Sequence, residues 1–589
     1  MTLPYRSFVA VVLAATLACS PDAQPAPPSA PADVTRHADA YWAALIEEFP
    51  LTALFSGAPG GDDDRLGDNS IAALRRWEAR EDAWLADLHG VDTAALAGRP
   101  EFATYGVLRE TLESSVQERV CRRELWRASQ LGGVQSLLPQ VGRLQPLGSA
   151  ELRAAALTRW REMPGYVDTE IANLRAGLAA GYTVPRGNVE KVLVQLDDLL
   201  AQPPAESPFA ALGARDSAPG FREDVVRIVE SEIVPAVRRY RAFLADDYLP
   251  RARTTTDLAA IPGGAECYRA LVRSATTLDV EPKALYDTGQ AEMARIDSAM
   301  REIAVRSFGT SDVPALLARM RRDPAFKFRT REEMIETATA AAARAKAAMP
   351  RWFGRLPKAD FIVDPCLPYE EESGCPGSYV APAADGSRPG RYRLNAGNPP
   401  GEPRAWAEGV AFHEGIPGHH LEIALAMERE GAHPIQRFSG FSGYSEGWAL
   451  YAEKLALEMD LYSSDLMRFG EWGEQGLRAA RLVVDPGLHV FGWTRERAID
   501  YMLRHLTLSR RTVESEVDRY IVNPGQATSY MTGRLEIERL RHEAERRLGE
   551  RFDIREFHDQ VLSSGSIPLG QLRRQVGEWL AAVSARAGP

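Results

Sequence analysis

The sequence predicts a mainly α protein, a large helical array with one small β-sheet beside an active-site cleft. Three observations lead there. Apolar residues recur at three- and four-residue spacing through most of the 589 positions. Short Pro/Gly punctuation such as "AQPPAESP" and "GTSDVP" separates these runs, with no alternating βα units. One Pro/Gly-rich stretch, residues 361–398, departs from the pattern and carries short β-prone pieces.

The chain opens with "MTLPYRSFVAVVLAATLACS", in which a single arginine, Arg6, precedes an apolar run ending in small residues. The run is too short to span a bilayer and is read as a secretion signal over residues 1–19. Cys19 stands at the position where bacterial lipoproteins carry their lipid, although Thr16 replaces the Leu usual three places earlier. Residues 20–34 form a Pro/Ala-rich linker that cannot pack a core. The expectation is an exported chain, in the periplasm or the outer membrane, whose one membrane attachment is a lipidated Cys19.

A single helical domain is expected over residues 35–585, with its metal-site half at about 360–585. "ADAYWAALIEEFP", "AALRRWEAREDAWLADLHG", "REDVVRIVESEIVPAVRRYRAFLADDYLP" and "REEMIETATAAAARAKAAMPRWFGRLP" all read as helices. "FIVD", "GSYV" and "RYRLN" read as the strands of the small sheet, where an edge strand would suit peptide binding. Four cysteines follow the signal. Cys366–Cys375 is the preferred bridge, closing "CLPYEEESGC", with Cys121–Cys267 as its complement. Hydrophobic residues at 45% and charged residues at 26% suit a soluble globular protein. A formal net charge of −11 argues against nucleic acid as a partner, because phosphates need a basic face.

Eight of the ten histidines follow position 410, and three of them fall in "FHEGIPGHHLE". In an HExxH helix, His at i and i+4 face one metal. Here Pro417 occupies i+4, and His419 and His420 arrive later. On a straight helix His413 and His419 would lie roughly 9 Å apart along the axis and about 120° apart around it. Pro417 lacks the N–H that would bond residue 413, and Gly418 tolerates backbone angles a helix does not use. Together they can bend or bulge the helix and return His419 to His413. Deleting "PG" restores HEGIH.

"HEGIPGHHLE", "YSEGWALYAEKL", "RAARLVVDPGLHVFGWTRERAIDYM", "RYIVNPGQATSYMTGR" and "FHDQVLSSGSIPL" together resemble the bacterial family called domain of unknown function 885. The resemblance runs from about residue 35 to 580. It is similar in turn to HExxH zinc peptidases of the angiotensin-converting and thermostable-carboxypeptidase kind, and so implies a zincin-like fold. It further implies one zinc per chain on His413, His419 and Glu446, the last being the Glu of "EGWA", 27 residues after His419. Where such peptidases often place an acid four residues later, this chain has Leu450. His420 and Glu453 are weaker ligand candidates or supports of the ligands. Cobalt and manganese also suit a His/His/Glu set.

On this reading Glu414 is the general base, and His489 and Tyr530 donate hydrogen bonds to an oxyanion. Arg481 and Arg534 would grip a substrate carboxylate. His433, before Pro434, reads as a turn residue. The expected activity is hydrolysis of short peptides, in carboxypeptidase or dipeptidyl-carboxypeptidase mode, by metal-activated water. Two other functions share the motif: a zinc amidase acting on a non-peptide or modified amide, and a non-catalytic envelope binding lipoprotein.

Overall fold

The computed structural model describes residues 30–366, 377–383 and 388–586. The predicted signal with Cys19, most of the linker, and Cys375 lie outside the described residues. The fold is mainly α with one small sheet, as the periodicity predicts. Among the described residues no helix is long and apolar enough to cross a membrane. The first helix, Ala30–Glu48, begins inside the expected linker. Its Pro31 stands in the first turn, where a missing N–H breaks no helical bond.

The expected 71–89 and 331–348 helices form, the first capped by the Ser70 side chain and the second by Thr330. The run from Phe221 to Tyr248 is one continuous helical stretch with two π-helical turns, Val229–Ile233 and Phe243–Tyr248. Each π turn lies just ahead of a proline, Pro235 or Pro250. The wider turn makes room for a ring that cannot donate to the preceding turn.

The centre of the molecule is the helix Asp465–His489, buried over nearly all of its length. It packs along Pro282–Phe308. The helices Ser442–Glu458 and Ser529–Leu548 cross in close contact at Gly443, Gly447 and Gly533. A β-carbon on Gly533 would lie 1.7 Å from the Gly443 carbonyl oxygen, so the crossing requires glycine.

Cys121 and Cys267 form the predicted disulfide, with Cα atoms 4.6 Å apart. It ties the end of the Glu101–Glu118 helix to the Gly264–Thr276 helix. Cys366 is buried and disulfide-bonded. The sheet has strands β1 (Phe361–Pro365), β2 (Ser378–Val380) and β3 (Gly390–Leu394) in the order β1-β3-β2. β1 runs parallel to the central β3, and β2 runs antiparallel to it. β3 packs by the helix that starts at His419 and so sets the sheet beside the histidine motif.

Candidate metal centre

The motif helix, Ala407–Glu414, is held in place at its start. Buried Glu408 accepts hydrogen bonds from Arg344 at 2.5 Å and from the Ser463 amide at 2.8 Å. The helix then stops. Gly415 leaves it at φ −97°, ψ −125°, the Ile416–Pro417 peptide is cis, and a second helix runs from His419 to Met427. The Gly418 amide donates back to the Phe412 carbonyl at 3.0 Å. A β-carbon on Gly418 would meet the His413 carbonyl oxygen at 2.0 Å, so no larger residue fits this return. Trp448 Nε1 pins the turn by donating to the Pro417 carbonyl at 3.0 Å. The proline–glycine pair therefore breaks the helix in two, a sharper change than a bend or bulge.

The break brings His413 and His419 together, with ring centroids 4.8 Å apart and planes at 88°. Glu446 Oε2 lies 3.5 Å from His413 Nε2 and 3.6 Å from His419 Nε2. One ligand atom from each of the three side chains falls within 4.8 Å of the others. Donors sharing a tetrahedral zinc at about 2.0–2.1 Å sit roughly 3.3 Å apart. Both carboxylate–imidazole distances lie within a few tenths of an ångström of that spacing, and two nitrogens with one carboxylate oxygen are the donors zinc takes.

Two more carboxylates orient the imidazoles. An ionised carboxylate only accepts, so His413 Nδ1–H donates to Glu453 Oε1 at 2.6 Å, leaving Nε2 as the free lone pair. Glu422 Oε2 lies 3.6 Å from His419 Nδ1, and Glu422 Oε1 accepts from Ser445. Burial pushes the Glu446 pKa up, but His413 and His419 outweigh it and hold the carboxyl well below its ordinary range. Burial likewise pulls both histidines down, and the surrounding carboxylates overcome it and raise them. Three carboxylates around two imidazoles thus call for positive charge. Protons on the rings or a divalent cation between them can supply it.

Glu414, half-buried, is near enough for its charge to act on His419 and Tyr392, and it has no hydrogen-bond partner among the described residues. Tyr530 feels the charge of Glu446; burial and that charge raise its pKa, so it keeps its proton. Arg481 stacks on the Tyr530 ring at 4.3 Å.

Four expectations need correction. His420 does not face the cluster: its Nε2–H donates to the Ala359 carbonyl at 3.2 Å, and its Nδ1 accepts from Tyr379 at 2.9 Å. Burial lowers its pKa to about 4, so it is a neutral ring docked on the sheet. His489 is 1% exposed, donates Nε2–H to the Tyr520 carbonyl and packs on Tyr268, out of reach of any substrate. Arg534, also buried, is committed to Glu538 and Gln475. Arg481 is committed to Glu516 and the Tyr520 hydroxyl, and so serves to hold Tyr530 in place.

Sequence reasoning missed the polar layer behind His413. Glu453, Glu471 and Glu474 are wholly buried with ligand atoms within 4.8 Å of one another, and Arg478 Nη2 donates to Glu453 at 3.2 Å. Burial and the Glu453 charge push Glu471 up to about 8 and Glu474 well above its ordinary range. Both acids therefore hold protons at neutral pH. The available signal was the i, i+3, i+7 spacing of Glu471, Glu474 and Arg478, which places them along one helix face. His433 caps a short helix, accepting from the Ile435 amide, as its turn position suggested.

The chain belongs to the family described as "Bacterial protein of unknown function (DUF885)", which matches residues 50–576. Among solved structures it is similar to "the putative lipoprotein from Colwellia psychrerythraea", at 25% identity and a TM-score of 0.84, covering 94% of this chain and 100% of that one. It shares its fold with "a putative lipoprotein of unknown function from Shewanella oneidensis", at 18% identity and a TM-score of 0.74, covering 93% and 99%. No curated protein matches the chain.

Proposed function

We propose that this family member is an exported metal-dependent hydrolase, with zinc as the metal and short peptides as substrates. The observation that carries the reading is the convergence of His413 Nε2, His419 Nε2 and Glu446 Oε2 across a broken helix. Their spacing and chemistry match zinc, and their orienting carboxylates are already in place. A bound zinc would supply Lewis acidity, polarising an amide carbonyl and acidifying a water.

The chain's own residues do the rest. Glu453 fixes the tautomer of His413, so its lone pair faces the centre. Glu414, without a hydrogen-bond partner among the described residues, takes a proton from the attacking water and passes it to the leaving amine. Tyr530 keeps its proton and donates a hydrogen bond to the oxyanion, its ring held by Arg481. A cavity of about 350 Å³, lined by Phe328, Tyr392, Leu394, Trp406 and Val410, opens one helical turn before Glu414 and suits an apolar side chain. Cleavage in carboxypeptidase or dipeptidyl-carboxypeptidase mode is the reading that the HExxH-like motif of the sequence suggests. Lipid attachment at Cys19 fits the description of the two similar structures.

The test is Glu414→Gln. The variant is expected to keep one zinc per chain and lose about 10²- to 10⁴-fold in peptide turnover, the usual worth of a general base. Cleavage at the wild-type rate would remove Glu414 from the mechanism.

A further inference from the structure

The two arginines expected to grip a substrate carboxylate are both spoken for, by Glu516 and by Glu538. Another arginine has the opposite character. Arg123 lies in a short 3-10 turn directly after the Cys121–Cys267 bridge, which fixes that wall of the molecule. Among the described residues no group accepts a hydrogen bond from its guanidinium, and none forms an ion pair with it. It is exposed to solvent, yet it stands where two cavities meet, of about 290 and about 580 Å³.

An unpaired arginine on a convex surface is simply solvated. One that lines two cavities is different, because the surrounding protein lowers its hydration and leaves a concave space in front of it. Lost hydration beside the cavity walls lowers the Arg123 pKa although its side chain still reaches solvent, against the opposing charge of Glu118, which lines the larger cavity without touching it. Arg127, also exposed and without a partner among the described residues, lines the smaller cavity and adds a second positive charge.

The larger cavity borders the start of the helix that carries Glu446. Its other wall includes Ser442 and Gln526, which hydrogen-bond to each other. Ser442 is one helical turn before Glu446 on the same face of the Ser442–Glu458 helix. Gln526 is a neighbour of Tyr530. The cavity thus has the Arg123 guanidinium on one side and, on the other, residues that stand one turn from Glu446 and beside Tyr530; the planar fork of an arginine matches a carboxylate.

We infer that Arg123 is the substrate-carboxylate anchor of this protein, holding an anionic group of the peptide at the end of the cavity away from the metal. The inference rests on the hydrolase reading and specifies its substrate class. The carboxylate can be a free C-terminus or an acidic side chain.

The test measures binding calorimetrically on the zinc-loaded Glu414→Gln chain, so that the probe is not consumed. The probes are acetyl-tetra-alanine with a free C-terminus, the same peptide amidated, and amidated acetyl-Ala-Glu-Ala-Ala. Arg123 has no protein bond to lose, so Arg123→Ala should fold with an unchanged melting temperature. It should weaken the free acid by roughly 10- to 100-fold, the worth of a charge-assisted contact, and leave the plain amide unchanged. Arg123→Lys should recover part of the loss. An Arg123-dependent gain from the Glu-containing amide over the plain amide would assign the anchor to an acidic side chain; its absence would assign it to the C-terminus. Equal weakening of acid and plain amide, or no weakening of either carboxylate probe, would overturn the inference. Hydrolysis of the same peptides by the wild-type chain is scored separately. Hydrolysis without an Arg123 effect removes only the anchor, and Arg123-dependent binding without hydrolysis removes only the hydrolase.

Discussion

Two side-chain trios among the described residues bring their ligand atoms within 4.8 Å, and they differ in exposure and in what neutralises them. His413, His419 and Glu446 keep a solvent path, with the last two side chains 12% and 23% exposed, and their Nε2 and Oε2 atoms face one another. Glu453, Glu471 and Glu474 have no exposure at all and already hold a cation, Arg478, together with their own protons. Proximity of ligand atoms alone therefore does not separate the two clusters. The first trio draws positive charge to itself, as ring protons or as an ion reached from solvent, whereas the second is neutralised from within and serves to hold the first in place through Glu453. Burying three ionised carboxylates together without such compensation would be prohibitive.

The largest effect expected from breaking this contrast is at a ligand. His419→Ala should lower zinc from one per chain to near zero, measured by elemental analysis, and take peptide turnover to background. Retention of stoichiometric zinc would mean that the ion sits elsewhere. A smaller effect is expected where the two trios join. Glu453→Gln keeps an acceptor for His413 Nδ1–H but removes the charge that pairs with Arg478, and should weaken zinc binding by about 10- to 100-fold. Unchanged zinc affinity in a competition titration would show that the buried layer is only structural.

The smallest effect concerns pH. Glu471 is raised to about 8 in the fold against an ordinary 4.5. Between those values the native state holds a proton that the unfolded chain has released, so its contribution to stability falls as pH rises through that window. Glu471→Gln should remove on the order of a few kcal/mol of the stability lost between pH 5 and pH 8, measured by urea unfolding of the zinc-loaded protein. An identical slope in the variant would place the buried proton on another group.

What the sequence makes legible is whatever depends on neighbours a few residues apart. The three strands and the interruption at Pro417 and Gly418 announce themselves in short local patterns, and the structure has each in its expected place; Glu446, picked out by the family's EGWA motif, stands beside both histidines. The disulfide Cys121–Cys267 was reachable by pairing the cysteines left over. Partner choice among distant helices was not legible. Arg481 and His489 sit in a family-like motif, but Glu516 and Tyr520, far along the chain, satisfy the one and cover the other. Glu471, Glu474 and Arg478 do not stand out in the sequence, because nothing local says that the whole Asp465–His489 helix is buried. His420 stands beside a ligand in sequence, yet the helix restarting at His419 turns it towards Tyr379 and the sheet. Free guanidinium groups such as Arg123 are invisible for the same reason: being unpaired is a property of the folded surroundings.

The most direct test is a crystal of the zinc-soaked protein measured on both sides of the zinc absorption edge. One anomalous peak should lie between His413 Nε2, His419 Nε2 and Glu446, with each donor about 2.0–2.2 Å from it. A peak among Glu453, Glu471 and Glu474, or no peak at all from protein loaded with stoichiometric zinc, would contradict the account.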